Sequence, residues 1–331
     1  MNNLPSCSGC GALHWTSLYS APAFDATENA LFTLVRCEQC GLVRTVPNLT
    51  EVQLGAYYAT PYYGSGRKKF SSWVEWLTRL DNRRRAQRLL SLLHTYTVPQ
   101  TTAWRILDIG CGRAHLLTAL AAQGCECHGI ERQEFPVTDV QTTIHFYRGT
   151  LETLPLDNDS FDAVVLWHSL EHVSDPAVAL QRVAHWLRPG GLVAIAVPNF
   201  GSWQATVFKS AWFHLDLPRH IYHFTDPVLT KLLKKHELYP VKTTTWTFDQ
   251  SVFGFVQSAL NAVVAPNRAN ALYALLKNAP DWRAKGRLVG WLVAAGLIAP
   301  LALFEYLLAG SLGRGATLII YAQKQAQSST D

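Results

Sequence analysis

The chain has 331 residues, 48% of them hydrophobic and 16% charged, where ordinary soluble domains carry roughly 25% charged residues. That much apolar material excludes a disordered or low-complexity chain, and the length suits one large domain with an accessory module, or two domains. The formal charge of +5, from 29 Lys+Arg and 24 Asp+Glu, is too mild to imply a nucleic-acid partner by itself.

Residues 1–46 carry neither a basic nor an apolar leader, so no signal peptide is expected. They hold Cys7-Ser8-Gly9-Cys10-Gly11 and Cys37-Glu38-Gln39-Cys40-Gly41, two C-x-x-C-G knuckles 26 residues apart. A glycine after the second cysteine lets the backbone turn so that its N–H groups reach thiolates. Cys7, Cys10, Cys37 and Cys40 suit a closed tetrahedral structural Zn²⁺, with a redox pair or iron as the alternatives. The long separation predicts a hairpin excursion over 12–36. Seven cysteines without a secretion signal point to a reducing compartment, the cytoplasm.

Residues 47–99 divide into a Pro/Gly/Tyr-rich linker and a basic helix. The helix is predicted between Phe70 and His94, where Trp73, Trp76, Leu77, Leu80, Leu89, Leu90 and Leu93 recur at helical spacing. Eight basic residues between Arg67 and Arg88 face only Glu75 and Asp81. They form either a solvated helix face or a basic surface for an anionic substrate or membrane.

From residue 100 onward strands and helices alternate. Strands are predicted at Trp104–Ile109, Cys127–Glu131, Ile144–Tyr147, Phe161–Trp167 and Leu192–Val197, then near Val241–Phe248 and at Thr317–Ala322. Helices are predicted at Ala114–Gln123, Pro176–Leu187 and Pro227–His236, with a turn at Arg188-Pro189-Gly190-Gly191. This order predicts an α/β fold, a doubly wound, mostly parallel seven-stranded sheet occupying 100–331.

The first of these strands ends in Asp108-Ile109-Gly110-Cys111-Gly112-Arg113-Ala114. Gly110 permits a tight turn, and Gly112 lets a ligand approach the backbone closely. Glu131 ends the next strand, 19 residues after Gly112, where a carboxylate can accept hydrogen bonds from ribose hydroxyls. Asp108 would repel a pyrophosphate and welcome a cation, which favours a sulfonium cofactor over a dinucleotide.

At these residues the sequence resembles the class I S-adenosylmethionine-dependent methyltransferases, over about 100–248 and 316–323. The likeness extends to Gly149-Thr150-Leu151-Glu152-Thr153-Leu154-Pro155, Leu170-Glu171-His172-Val173 and Leu187-Arg188-Pro189-Gly190-Gly191. The resemblance implies a Rossmann-like methyltransferase fold. It also implies that Asp108, Gly110, Cys111 and Gly112 line the methionine end of S-adenosylmethionine, and that Glu131 holds the ribose. Leu151 and Glu152 would border the adenine, while Trp167 and His168 would close over the sulfonium. Thr150 stands where an adenine-contacting acid is usual. The short stretch before Ile144, which contains Pro136, predicts a reduced helix.

Methyl transfer needs alignment above all, and a base if the nucleophile is a hydroxyl or carbon acid. His168, His172 and His220 are the candidate catalytic residues. His168 and His172, four apart, would share one face of a helical turn. Glu171-His172 also matches the ubiquinone-biosynthesis type of O-methyltransferase, where such residues can bind a divalent ion. The run Trp212–Phe224 resembles a segment bordering the substrate pocket in bacterial methyltransferases with an N-terminal zinc module. Trp212, Arg219, His220 and His223 are its candidate substrate residues.

Leu288–Gly310 has 18 apolar residues of 23 and one charge, Glu305. A single membrane span would strand the last strand across the bilayer, so Gly296 and Pro300 are read as breaking two short helices. This insertion, about 250–313, is a cap over an apolar substrate, a peripheral membrane contact through 286–312, or a homodimer interface. The expected activity is methyl transfer to O, C or N of a small-molecule, sugar or lipid-like acceptor, in the cytoplasm or at the inner membrane surface. A binding protein without catalysis is the rival. A nucleic-acid methyltransferase is third, since Leu166-Trp167-His168-Ser169 lacks the motifs of base methylation.

Overall fold

The computed structural model describes residues 4–23, 30–58, 72–98, 103–132, 144–151, 153–264, 270–277 and 282–326. Glu152, Pro136 and residues 59–69 of the Pro/Gly/Tyr-rich linker lie outside the described residues. In chain order the strands are β1 (Trp15–Pro22), β2 (Leu31–Cys37), β3 (Val43–Val46), β4 (Arg105–Ile109), β5 (Glu126–Glu131), β6 (Ile144–Arg148), β7 (Phe161–Trp167), β8 (Leu187–Pro198), β9 (Tyr222–His223), β10 (Leu238–Thr244) and β11 (Thr317–Lys324). The helices are α1 (Glu51–Ala56), α2 (Ser72–Tyr96), α3 (His115–Ala121), α4 (Pro176–Trp186), α5 (Trp203–Phe208), α6 (Asp226–Lys235), α7 (Phe248–Val263), α8 (Ala271–Lys277) and α9 (Trp282–Ser311).

Two compact units alternate along the chain. One is drawn from Met1–Glu75, Pro198–Val228 and Thr244–Leu318, the other from Trp76–Val197, Leu229–Thr243 and Ile319–Asp331.

In the first unit, β1 and β2 form the predicted hairpin between the cysteine knuckles, pairing antiparallel from Trp15↔Cys37 to Pro22↔Leu31. β3 continues the sheet, and β9 closes it through Val43↔His223. Alternation puts Phe32 and Leu34 of β2 on the buried side, where they meet Val43, Trp212, Leu215 and Leu217. In the same unit α7, α8 and α9 build a separate core from Val256, Leu260, Leu272 and Ala302.

The second unit contains the expected sheet, in the order β10-β11-β8-β7-β4-β5-β6. β4 pairs parallel with β5 and β7, and β7 pairs parallel with β8. Ile106, Leu107, Val164 and Val165 are almost fully buried, as strands covered on both faces require. The chain runs from β4 outward through β5 to β6, then crosses back to β7 and β8. The two directions part between β4 and β7, and ligands bind outside the carboxyl ends of such strands. α2 lends this core Ala86, Leu89 and Leu93, at helical spacing, while Trp76 and Leu77 remain exposed.

Three local expectations are corrected. The Arg188–Gly191 turn is an irregularity inside β8, whose register against β7 jumps from Phe161↔Leu187 to Ala163↔Leu192; a Cβ on Gly191 there would stand 3.0 Å from the Arg188 carbonyl oxygen and 3.1 Å from that of Asp162. The Thr-rich strand ends at Thr244, and Phe248 opens α7 instead. The two short helices are one 30-residue helix, α9, with Pro300 inside it. An internal proline costs about 3 kcal/mol, its ring pressing on the carbonyl of Gly296 four residues back. Unbroken packing of Leu288, Trp291, Ala294, Ile298 and Ala302 along α7 and α8 offsets that cost.

Candidate active site

At the end of β4 the chain must turn sharply beneath β7. Gly110 (φ +73°), Gly112 (φ +51°) and Ala114 (φ +54°) all take the left-handed conformation. A Cβ on Gly110 would stand 2.9 Å from the Ser169 Cβ, so both conformation and space demand glycine. The amides of Gly110 and Cys111 donate to the Ile130 carbonyl at 2.9 and 3.2 Å, tying the loop to β5. A Cβ on Gly112 would meet no described atom within 4 Å, which leaves the backbone approachable there.

Two carboxylates flank this loop. Glu131 accepts hydrogen bonds from the amides of Gly112 at 3.0 Å and Arg132 at 2.8 Å. Asp108 is buried, and burial, reinforced by the negative charge of Glu131, pushes its pKa up to about 7 against the opposing charge of Arg85. A cation beside Asp108 would restore its ionised form. Cys111 lies behind the loop against Gly129, and burial, then Asp108 and Glu131, push its thiol far up, so it is a packing residue without thiolate character. Leu151 is buried.

At the end of β7, His168 takes a left-handed backbone (φ +53°), rare for a residue with a side chain. Its amide donates to the Ala196 carbonyl at 2.8 Å, and its Nδ1 lies 3.3 Å from Oε1 of the buried Glu171. With Nδ1 turned to the carboxylate, Nε2 is the nitrogen left for a ligand. It is buried and has no partner among the described residues, and the same holds for Trp167 Nε1 and Ser169 Oγ. Buried polar atoms are nearly always bonded, so three consecutive residues with atoms unmatched among the described residues make the end of β7 the candidate ligand site. His172 closes the short turn Leu170–His172. Because His168 precedes that turn in a left-handed conformation, the two histidines do not share a helical face as their spacing predicted.

Sequence reasoning passed over Arg85 as one of eight surface cations. Its guanidinium pairs with Asp81 and lies 4.4 Å over the Trp167 ring; Arg85 and Trp167, with Leu116, Val165 and Tyr321, line a small cavity. The signal was present in the helix register, since Arg85 stands four residues before the buried Leu89 and beside Ala86.

The other candidate residues belong to the first unit and are held by its own groups. Trp212 is fully buried, and its Nε1 has no partner among the described residues. Arg219 donates from Nε to Asp216 at 3.0 Å and from Nη1 to the Tyr57 carbonyl at 3.1 Å. His220 donates from Nδ1 to the His214 carbonyl at 2.9 Å. The Thr45 hydroxyl donates to the His220 carbonyl at 2.7 Å and so accepts from His223 Nε2 at 3.0 Å.

The four knuckle thiols converge. Sγ of Cys7 and Cys40 are 3.5 Å apart, as are those of Cys10 and Cys37, and all four lie within 4.8 Å of one another. A tetrahedral zinc–thiolate site has S···S edges of about 3.8 Å, so the geometry fits Zn²⁺. Gly11 and Gly41, both at φ +80°, make the two turns. Burial pushes the Cys7 thiol up to about 11 and the Cys40 thiol higher. At Cys37 burial is outweighed by hydrogen bonds from the Cys40 and Gln39 amides, which hold the thiol down.

A family model described as a methyltransferase domain matches residues 73–243, just over half of the chain. A ubiquinone biosynthesis O-methyltransferase of Cereibacter sphaeroides is 29% identical over 168 residues, 47% of this chain and 68% of its own length. That of Alkalilimnicola ehrlichii is 34% identical over 103 residues, 29% of this chain and 42% of its own length. The chain thus spans between two fifths and two thirds of these relatives. Among solved structures, 1,6-didemethyltoxoflavin-N1-methyltransferase of Burkholderia thailandensis, with bound 1,6-didemethyltoxoflavin and S-adenosylhomocysteine, matches at a TM-score of 0.46 and 14% identity, covering 92% of this chain and 99% of its own. An S-adenosylmethionine-dependent methyltransferase of Mesorhizobium loti matches at a TM-score of 0.42 and 18% identity, covering 70% and 96%.

Proposed function

The chain belongs to the methyltransferase-domain family, which makes it an S-adenosylmethionine-dependent methyltransferase by class, and we propose that it O-methylates an apolar small-molecule or lipid-like acceptor in the cytoplasm. The observation that carries the acceptor atom is the His168–Glu171 pair, with its buried, unmatched Nε2 at the end of β7. A hydroxyl must lose its proton to become a good nucleophile, and an imidazole backed by a carboxylate is suited to take it near neutral pH.

Asp108, the Gly110–Gly112 backbone and Glu131 are the groups suited to hold S-adenosylmethionine, with Asp108 receiving the ammonium and Glu131 the ribose. When bound, the cofactor supplies the electrophilic methyl group. Asp108 gains its charge as the ammonium arrives, so recognition and ionisation are one event. His168 Nε2 takes the acceptor proton, and Glu171 holds the resulting imidazolium in place. Trp167, with the Arg85 guanidinium over its ring, stands beside His168 at this end of β7. The named relatives support oxygen as the acceptor atom, since two of them are O-methyltransferases. In the first unit Cys7, Cys10, Cys37 and Cys40 would hold a structural Zn²⁺ that knits the ends of the β1–β2 hairpin.

Calorimetry with S-adenosylmethionine, followed by incubation with a methyl-labelled cofactor and a lipid extract, tests this reading. The expected result is cofactor binding and a product heavier by one methyl group on oxygen. Binding without any labelled product from a broad set of extracts would favour a cofactor-binding protein that does not catalyse. No binding by well-folded protein would sink the assignment altogether.

A further inference from the structure

α9 has two faces of opposite fate. Leu288, Trp291, Ala294, Ile298 and Ala302 pack against α7 and α8, and its only acid, Glu305, is buried and accepts a hydrogen bond from Gln204 at 3.0 Å. The other face carries Val289, Val293, Leu297, Leu301, Phe304 and Leu308, spaced 4, 4, 4, 3 and 4 residues apart. All six are exposed, Leu297 at 80% and Phe304 at 62%. This is a single apolar stripe without one polar side chain. The apolar run Leu288–Ser311 has 24 residues, about 36 Å of helix, and only 17% of its most apolar stretch is buried. Leaving such a stripe in water forfeits burial of nearly every large side chain on it, and monomeric proteins rarely do so.

The charges around the stripe have one sign. Arg283, Lys285 and Arg287 stand in the first two turns of α9 and Arg314 follows its last, with no acid but the buried Glu305 between Trp282 and Thr317. Basic residues bracketing an apolar face suit an anionic lipid surface.

We propose that this face of α9 lies in the plane of an anionic bilayer, its aliphatic stripe entering the acyl boundary and its basic ends resting on the headgroups. Two other arrangements fit less well. A spanning helix would separate β10 from β11, which are neighbours in one sheet. Its partner α7 also buries Ser251, Gln257, Ser258 and Asn261, side chains suited to a protein interior and ill suited to lipid. A second copy of the chain would bring its own Arg283, Lys285, Arg287 and Arg314 against these basic ends, with no exposed acid between Trp282 and Thr317 to offset them. Leucine and valine, which dominate the stripe, are also poor carriers of protein–protein binding energy.

The test is co-sedimentation of the whole protein with vesicles of equal parts phosphatidylglycerol and phosphatidylcholine, beside vesicles of phosphatidylcholine alone. Wild type should pellet with the anionic vesicles, release with salt, and leave the membrane fraction of cells in alkaline carbonate. The triple variant Leu297→Gln, Leu301→Gln, Phe304→Gln should bind about tenfold or more weakly with unchanged melting, because these side chains touch little of the fold. Each single substitution runs beside it, so that a folding defect in the triple does not hide the effect. Changing Lys285 and Arg287 to Gln should weaken anionic binding by roughly fivefold per charge and leave binding to neutral vesicles unchanged. The proposal is overturned if wild type ignores both vesicles, if the glutamine variants bind as wild type does, or if carbonate fails to extract the protein. It is equally overturned if light scattering finds a detergent-free dimer that the triple variant turns into a monomer.

Discussion

The Nδ1 of His168 lies 3.3 Å from Oε1 of Glu171, a carboxylate that is 1% exposed and three residues further along the chain. The contact spends one imidazole nitrogen on the protein and commits the other to whatever binds at the end of β7. Replacing His168 by Ala should therefore lower kcat by about 10²- to 10⁴-fold, the usual weight of a positioned base, with the cofactor Kd little changed. Glu171→Gln should keep the hydrogen bond but weaken support of the imidazolium, giving a smaller loss in kcat. Steady-state kinetics with calorimetry on the same samples checks both. Undiminished turnover by the alanine variant would remove His168 from the chemistry.

Asp108 makes cofactor binding pH-dependent with a definite sign. Burial first, then Glu131, raise its pKa to about 7 in the free protein, above the roughly 3.9 of an unfolded chain. The folded state then holds the proton more tightly, so this group subtracts stability as pH climbs from about 4 to 7, and in full above that. A cationic ligand prefers the ionised carboxylate. Affinity for S-adenosylmethionine should rise with pH until about 7 and then level off, and calorimetry in two buffers should find close to one proton released at about pH 6. Asp108→Asn should abolish that dependence and weaken binding. It should also raise the melting temperature of the free protein above pH 7. A free-protein melting curve lower than wild type at that pH would contradict this account.

Gly110 and Gly112 share a left-handed backbone but not their surroundings. Alanine at either position carries the conformational cost of about 1–2 kcal/mol. At Gly110 the new Cβ also meets Ser169 at 2.9 Å, whereas at Gly112 it meets open space. Gly110→Ala should thus destabilise more, in a denaturant titration, and Ser169→Gly in the same chain should return part of the difference. Equal losses for the two alanines would mean that the contact with Ser169 is unimportant.

Zinc content offers a separate check. Wild type should carry about one zinc per chain by metal analysis. The double variant Cys37→Ser, Cys40→Ser should carry none and should lose the β1–β2 hairpin to proteolysis, with S-adenosylmethionine still bound by the second unit. Iron in place of zinc would replace the metal assignment, and loss of cofactor binding would show that the two units fold together.

Much of the sheet was legible in the sequence because its signals are local. Phe161–Trp167 is apolar but for Asp162 and is bounded by polar turns, and its limits are those of β7. The Gly110–Gly112 turn and the paired cysteines announce themselves through residues that few other backbones require. Other features depend on partners distant in sequence. Two residues, Tyr222 and His223, become a strand only because β3 offers them an edge. Pro300 reads as a helix break until the packing of α9 on α7 outweighs it. Arg85 is one of eight basic residues in its segment, and only the helix register, four residues before the buried Leu89, sets it apart. The left-handed turn at His168 left no mark at all, since nothing in Trp-His-Ser-Leu-Glu advertises a positive φ.

β10 and β11 lie side by side in the sheet, and everything from Thr245 to Ala316 is threaded between them. Loop-closure entropy grows so slowly that doubling such a connection costs only about 0.6 kcal/mol. A connection of this length can therefore carry α7, α8 and α9 at little entropic cost to the pairing of β10 with β11. The glycine turn, Asp108 and Glu131 all precede that insertion in the chain. These 72 residues can therefore be altered without changing the lengths or positions of the segments that carry the glycine turn, Asp108 and Glu131.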